Sequence, residues 1–239
     1  MLDAIKRWLR SSGKPAEERA MPPLVTTRPY IDPYPITVEQ LPQEDMPLMT
    51  NKQTALVRQV TSDLDRHEGF REYAYPDPLS KLQAQHPRER WGFVPARQIL
   101  SRLGISVEAA ATSGHPWSVG HGFTGGTTLD SRMSRLMSER KLEEKVVEMD
   151  GVLKNTLPWY KDATDVTKGI LVNMSFNLGL KGLLGFKNTL RFISEKNYEQ
   201  AASNMKQSLW ARQVKVRADE LIERMRTQSI PARFKVAAL

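Results

Sequence analysis

Residues 67–78, HEGFREYAYPDP, join the end of a predicted helix to a segment rich in turns and short strands. Upstream, Val57, Val60 and Leu64 recur on the helical face that also holds Glu68. A carboxylate in line with an apolar stripe is costly to bury unless its partial desolvation serves a purpose. This junction therefore sets where the helix ends, and it makes Glu68 the first candidate for chemistry.

Glu68 and Asp77 lie nine residues apart across this junction. Glycoside hydrolysis needs two carboxyl groups in unlike surroundings, one protonated and the other ionised. We expect Glu68 to be partly buried behind the apolar stripe and Asp77 to lie exposed beside an open cleft. The spacing alone is equally typical of two solvated surface carboxylates, so the pair needs further context.

The composition excludes several classes of protein. The 239 residues include no cysteine, which rules out a disulfide scaffold, a thiol nucleophile and a zinc site built on thiolates. No apolar run reaches the roughly 18 residues that a membrane span requires. The first ten residues, MLDAIKRWLR, lack the apolar centre of a secretory signal.

Proline and charge divide the chain unevenly. Residues 1–50 hold eight of the 15 prolines and a net charge of −1, which leaves +9 for the remainder. Such a proline density predicts an extended segment, preceded by a short amphipathic helix over residues 2–9. The basic remainder favours a polyanionic partner: nucleic acid, an anionic membrane surface or an acidic wall polymer.

The rest of the chain predicts an α+β fold that is mainly α. Residues 69–125 indicate a small lobe with a short antiparallel sheet, interrupted by one helix that begins at Pro95 and ends at Gly104. A larger helical lobe follows from about residue 138, with helical patterns near 187–195, 197–207 and 215–227. We expect a ligand cleft between the two lobes.

Several separate motifs follow the first one in a fixed order. They are WSVGHGFT (117–124), LPWY (157–160), NMSFNLG (173–179), GFKNTL (185–190) and AASN (201–204). Together with residues 67–78, they resemble the lysozymes of T-even phages, glycoside hydrolase family twenty-four. The resemblance covers about residues 55–227 and implies a two-lobed phage-lysozyme fold without cofactor or metal.

The resemblance also implies roles for individual residues. Glu68 matches the general acid at the bond between N-acetylmuramic acid and N-acetylglucosamine, and Asp77 matches the carboxylate that activates water in this inverting family. Ser118 stands in place of a threonine whose hydroxyl positions that water, and Arg217 matches an arginine that pairs with the acid. The remaining matches, Phe176, Asn177, Thr189, Asn204 and Thr124, fall on positions of the saccharide cleft.

Two departures from the family pattern stand out. Phe123 occupies the position of a histidine that forms a buried ion pair in relatives, so we expect that ion pair to be absent. In addition, 40 residues separate Asp77 from Ser118, where the family has only a handful. The insert, residues 79–113, is predicted to cap the active-site lobe, contact a partner or cover the cleft.

Other readings of the same residues have less support. His115 and His121 suggest a zinc amidase, but there is no His-Glu-x-x-His motif and no clear third ligand. The basic C-terminal region lacks a nucleic-acid-binding module. A lytic transglycosylase uses one acid and no base, so Asp77 in register favours hydrolysis. His67 is expected to be solvated.

The sequence thus divides into residues 1–50, an anchoring segment, and 51–239, a lysozyme domain whose substrate is bacterial peptidoglycan. The anchor and the insert 79–113 suggest phage structural proteins as partners, with no nucleic acid and no membrane span. We expect a protein made in the host cytoplasm and carried on the phage particle or tail. A free endolysin, or a virion structural protein that only retains the fold, are the alternatives.

Overall fold

The computed structural model describes residues 55–236. Helix α1 (Ala55–Glu68) comes first, and the elements of the small lobe follow it: β1 (Arg71–Pro76), α2 (Lys81–Gln85), α3 (Ala96–Leu103), α4 (Val107–Ser113) and β2 (Trp117–Gly120). Those of the larger lobe are α5 (Arg135–Thr156), α6 (Asp165–Leu184), α7 (Lys187–Ser194), α8 (Tyr198–Gln207), α9 (Leu209–Val214) and α10 (Val216–Thr227), with 3-10 turns at Tyr160–Asp162 and Ala232–Phe234. The predicted N-terminal helix and extended segment, residues 1–50, lie outside the described residues.

Helix α1 connects the two lobes and ends on the predicted acid. Val60 and Leu64 are buried in the core of the larger lobe. Gly69 follows Glu68 with φ 67°, a left-handed conformation that glycine adopts without a steric penalty. Its N–H donates to the carbonyl of Asp65 at 3.0 Å. The chain therefore leaves the helix directly after Glu68, at the residue that the sequence indicated.

Two hydrophobic cores correspond to the two predicted lobes. The larger core joins α1 to the helices of the C-terminal half through side chains such as Leu64, Leu142, Ile170, Met205 and Leu221. The smaller core surrounds the two-stranded antiparallel sheet of β1 and β2. The mainly helical α+β fold is confirmed.

The insert is the main source of the smaller core. It folds as three short helices, α2 to α4, whereas the sequence predicted one. Six of the nine buried side chains of this core come from it, Leu82, Trp91, Ala96, Ile99, Leu100 and Ala110. Helix α3 lies where the sequence predicted a helix. Pro95 is its N-cap residue, one position before the first helical residue, and Gly104 ends the helix in a left-handed conformation. The insert is therefore part of the folded small lobe.

No single helix among residues 55–236 is long and apolar enough to cross a membrane. Helices α6 and α7 meet the length and composition criteria only as a pair, and they are bent by 100° at their junction. Their apolar character has a simpler cause in this fold, because Ile170, Leu171 and Met174 are buried in the larger core.

A buried network of charges fixes α1 against α10. Arg224 donates to both oxygens of Asp63, at 2.6 and 3.0 Å, and Arg66 donates to both oxygens of Glu220, at 2.7 and 2.9 Å. Arg224 also pairs with Glu220. Buried charges are tolerated when each is paired in two-point geometry, as here. The network therefore sets how the two helices lie along each other.

The environment of Glu220 makes this network sensitive to acid. Burial tends to raise the pKa of the Glu220 carboxyl, but hydrogen bonds from His67 and Arg66 and the charge of Arg224 outweigh it. Together they lower the pKa to about 2. A carboxyl whose pKa is depressed in the folded state stabilises the protein above its unfolded pKa. That stabilisation is lost as the pH falls from about 4.5 toward 2.

We therefore predict that Glu220→Gln lowers the free energy of unfolding at pH 6 by about 3 kcal/mol, because the buried guanidinium of Arg224 and the partly exposed one of Arg66 both lose a charged partner. The variant should also lose less stability between pH 5 and pH 2.5 than the wild type does. Urea unfolding at several pH values measures both effects. Glu223→Gln, on the exposed side of the same helix, is the matched control and should follow the wild type. Parallel pH curves for Glu220→Gln and wild type would refute this assignment.

Candidate active site

Glu68 meets Arg217 across the interface between α1 and α10. One guanidinium nitrogen of Arg217, Nη2, donates to Oε1 of Glu68 at 2.6 Å. The Glu68 side chain remains 23% exposed, whereas the Arg217 side chain is largely buried. The second terminal nitrogen of Arg217, Nη1, is buried and has no hydrogen-bond partner among the described residues. The arginine thus fixes the Glu68 side chain through one nitrogen, and its other terminal nitrogen is enclosed by the protein.

Asp77 lies in the turn that follows β1, and it is more enclosed than the sequence suggested. The residue is only 7% exposed, so the expectation of an exposed carboxylate is wrong. The insert begins directly after it, and the N–H of Leu79 donates to Asp77 Oδ1 at 2.7 Å. The Asp77 N–H donates to the carbonyl of Pro116 at 2.9 Å, which ties this turn to the start of β2.

Tyr75 connects the three predicted catalytic residues. It is the cross-strand partner of Ser118, and the two side chains lie close enough to interact. Burial raises the pKa of Tyr75 to about 12. The charge of Arg71 and the hydrogen bond from Ser118 oppose this shift, and the charges of Glu68 and Asp77 add to it. The phenol is therefore neutral at ordinary pH, and its oxygen lies within the electrostatic reach of both carboxylates.

Sequence reasoning did not single out Tyr75. The signal was present, since strand alternation places Arg71, Tyr73 and Tyr75 on one face of β1. An aromatic residue between two candidate carboxylates is nevertheless common in a strand. Only the register with β2, which pairs Tyr75 with Ser118, identifies it as a member of the site.

The predicted saccharide-binding positions fall into two groups. Thr189 and Asn204, on α7 and α8, are brought together by a hydrogen bond from Thr189 Oγ1 to Asn204 Oδ1 at 2.7 Å. Thr124 lies partly buried in the segment just after β2, on the opposite lobe. Thr189 is buried and holds the Asn204 side chain, so the partly exposed polar groups are those of Asn204 and Thr124.

Two further positions are held by packing within the larger lobe. Asn177 Oδ1 accepts a hydrogen bond from the indole N–H of Trp210 at 3.0 Å, so this amide orients a core aromatic ring. Phe176 is buried in the larger core. Both residues lie on α6, and the contacts described for them are with other side chains of the larger lobe.

His67, the neighbour of Glu68, is buried and hydrogen-bonded. Its side chain is 6% exposed, so the prediction that it is solvated is wrong. One ring nitrogen lies 3.4 Å from Glu220 Oε2 and the other lies 3.3 Å from Asn173 Nδ2. The histidine thus links the end of α1 to both α10 and α6.

A buried histidine near Phe123 pairs with the partly exposed carboxylate of Asp65. His121, on the segment just after β2, has no exposed side-chain surface, and its Nε2 lies 2.7 Å from Asp65 Oδ1. Its Nδ1 lies 2.8 Å from the hydroxyl of Ser138. Burial tends to raise the pKa of Asp65, but hydrogen bonds from His121 and Arg135 outweigh it, and the pKa is lowered. The pair joins the sheet to α1 from a position two residues before Phe123.

These contacts also bear on the zinc hypothesis. His121 uses both ring nitrogens within the protein, and His115 is exposed on a separate turn. Within residues 55–236, no group of three histidine, aspartate or glutamate side chains is arranged to hold a metal ion. The described residues therefore give the zinc amidase reading no ligand set.

Comparison with known proteins gives a partial match. No family profile matches the sequence. Two curated proteins have significant similarity to the chain. One is a probable T4-type lysozyme from Dictyostelium discoideum, 34% identical over 73 residues. The aligned region comprises 30% of this chain and spans 43% of the length of that relative. Over this region, the similarity supports a relation between the chain and the T4-type lysozymes.

Proposed function

We propose that this protein is a peptidoglycan hydrolase, an N-acetylmuramidase that cleaves the β-1,4 bond between N-acetylmuramic acid and N-acetylglucosamine. The observation that carries the proposal is the position of Tyr75, which pairs with Ser118 across the sheet and whose phenol feels the charges of both Glu68 and Asp77. The similarity to a T4-type lysozyme supports the same activity.

The proposed mechanism is inverting. Glu68 donates its proton to the glycosidic oxygen as the bond to the muramic acid C1 breaks. Asp77 accepts a proton from a water that adds to C1 on the opposite face of the ring, and the hydroxyl of Ser118 orients that water. Leu79 holds Asp77 Oδ1, which leaves the other carboxylate oxygen for this proton. The mechanism requires the two carboxyl groups to be about 6.5–9.5 Å apart.

Substrate binding is proposed at the interface between the lobes. Asn204 and Thr124 supply amide and hydroxyl groups from the two sides. Thr189 holds Asn204 in place, and Phe176 and Asn177 contribute from α6. The net charge of +9 outside residues 1–50 favours a polymer that carries carboxylates, as the peptide-bearing wall does.

We further propose that the enzyme is carried on a phage particle or tail, where residues 1–50 hold it to a structural protein. The proline content of that segment supports an anchor, because a catalytic domain does not need one. A free endolysin released at the end of the phage cycle is the second candidate. Detecting the protein in purified particles supports the first, and finding it only in the lysate supports the second.

Glu68→Gln should lower the rate of peptidoglycan hydrolysis at least about a hundredfold, since it removes the general acid while keeping a partner for Arg217. The release of reducing sugars from purified peptidoglycan measures the rate. Glu72→Gln is the matched control, because Glu72 lies four residues away and pairs with Arg132 at the surface. Hydrolysis by Glu68→Gln at the wild-type rate would show that Glu68 is not the general acid, and it would contradict the proposed mechanism.

Ser118→Ala should lower kcat about three- to tenfold, the effect of removing one hydrogen bond that orients the water. Ser118→Thr retains the hydroxyl and should keep or raise the rate. Both variants are compared in the same sugar-release assay, with thermal unfolding as the control for folding. An alanine variant with unchanged kcat would mean that this hydroxyl is idle.

A further inference from the structure

A line of contacts runs from the insert to the catalytic strand pair. The guanidinium of Arg71 lies over the ring of Tyr75, 4.3 Å from its centroid. This distance is within the range of a cation–π interaction. Tyr75 in turn is paired with Ser118 across the sheet, and the two side chains interact. Arg71 therefore contacts the ring whose hydroxyl end meets the hydroxyl of Ser118.

The insert holds Arg71 in this position. Gly92 has φ 84°, and a Cβ added to it would lie 2.7 Å from Arg71 Cδ and 2.8 Å from Arg71 Cβ. The backbone of the insert thus lies directly against the aliphatic stem of Arg71. The carbonyl of Gly92 also accepts the N–H of Tyr73 at 3.0 Å, so the same residue is fixed to the strand that carries Arg71 and Tyr75.

We propose that Tyr75 is a positioning residue for Ser118, and that the insert supports it through the contact of Gly92 with Arg71. Arg71 restricts the tilt of the Tyr75 ring, and the ring places its hydroxyl against Ser118. Ser118 then has a single orientation toward the water beside Asp77. This proposal rests on the proposed function and assigns the insert a role in the chemical step.

The physical reason lies in the short side chain of Ser118. A serine hydroxyl rotates among staggered positions more freely than that of a β-branched threonine. A hydrogen bond that Ser118 donates to a phenol whose ring is clamped on one side would remove that freedom. Because Ser118 is buried, this partner has little competition from bulk water.

A double-mutant cycle tests the first step. Tyr75→Phe keeps the ring under Arg71 and removes only the hydroxyl, so kcat should fall about three- to tenfold while KM stays unchanged. In a Ser118→Ala background, the same substitution should have almost no further effect, because the residue through which Tyr75 acts is gone. Equal falls in both backgrounds, or a change in KM alone, would overturn the proposal.

A pair of glycine variants tests the role of the insert. Gly92→Ala should displace Arg71 and lower kcat to the level of Arg71→Ala. Gly104→Ala is the matched control, because Gly104 also has a positive φ, 67°, but an added Cβ there meets nothing within 4 Å. Both variants carry backbone strain, and only the first reaches Arg71. Arg132→Ala, which removes an arginine from over Tyr73, is the control for Arg71→Ala.

Different results would contradict the positioning role of Tyr75 and the proposed hydrolase function. If the wild type hydrolyses peptidoglycan in a Glu68-dependent manner while Tyr75→Phe and Gly92→Ala keep its kcat, the positioning role is wrong and the proposed function stands. If Gly104→Ala loses as much kcat as Gly92→Ala, the effect is strain and not the contact with Arg71. Wild-type protein without Glu68-dependent hydrolysis overturns both.

Discussion

The position of Glu68 depends on the buried charges that hold α1 against α10. Glu68 is the last residue of α1, and Arg217 is the second residue of α10, so their contact requires the two helices to keep a fixed offset. The two-point pair between Asp63 and Arg224 sets that offset deeper in the same interface. Breaking a buried pair leaves an uncompensated charge, which makes any slip between the helices costly. The same interface therefore stabilises the larger lobe and aims the acid.

The other half of the site is built by the insert. The enclosed turn at Asp77 begins the insert, and Trp91 and Leu100 from its middle fill the core beneath the sheet. A short two-stranded sheet is marginally stable alone, so β1 and β2 need this packing to hold Tyr75 opposite Ser118. The insert that sets this chain apart from the family pattern thus helps to keep the turn at Asp77 and the strand at Ser118 in place.

The spacing of apolar residues and the glycines that end helices were enough to predict the helical lobe, because both signals are local. They also placed Glu68 at a helix end. Long-range pairing was not predictable in the same way. His67 looked solvated, yet Glu220 lies 153 positions away and meets it. His121 finds Asp65 on α1 although Phe123 holds the expected position. Such partners depend on how helices and strands register in space, and no local pattern encodes that register.

In the proposed mechanism, a water activated by Asp77 adds to the muramic acid C1 as Glu68 protonates the glycosidic oxygen. Mass spectrometry of purified peptidoglycan digested in ¹⁸O-labelled water tests it most directly. We expect fragments that end in reducing N-acetylmuramic acid with one labelled oxygen, taken from the solvent, at C1. Fragments that end in unlabelled anhydro-muramic acid would contradict it, because they form without an attacking water.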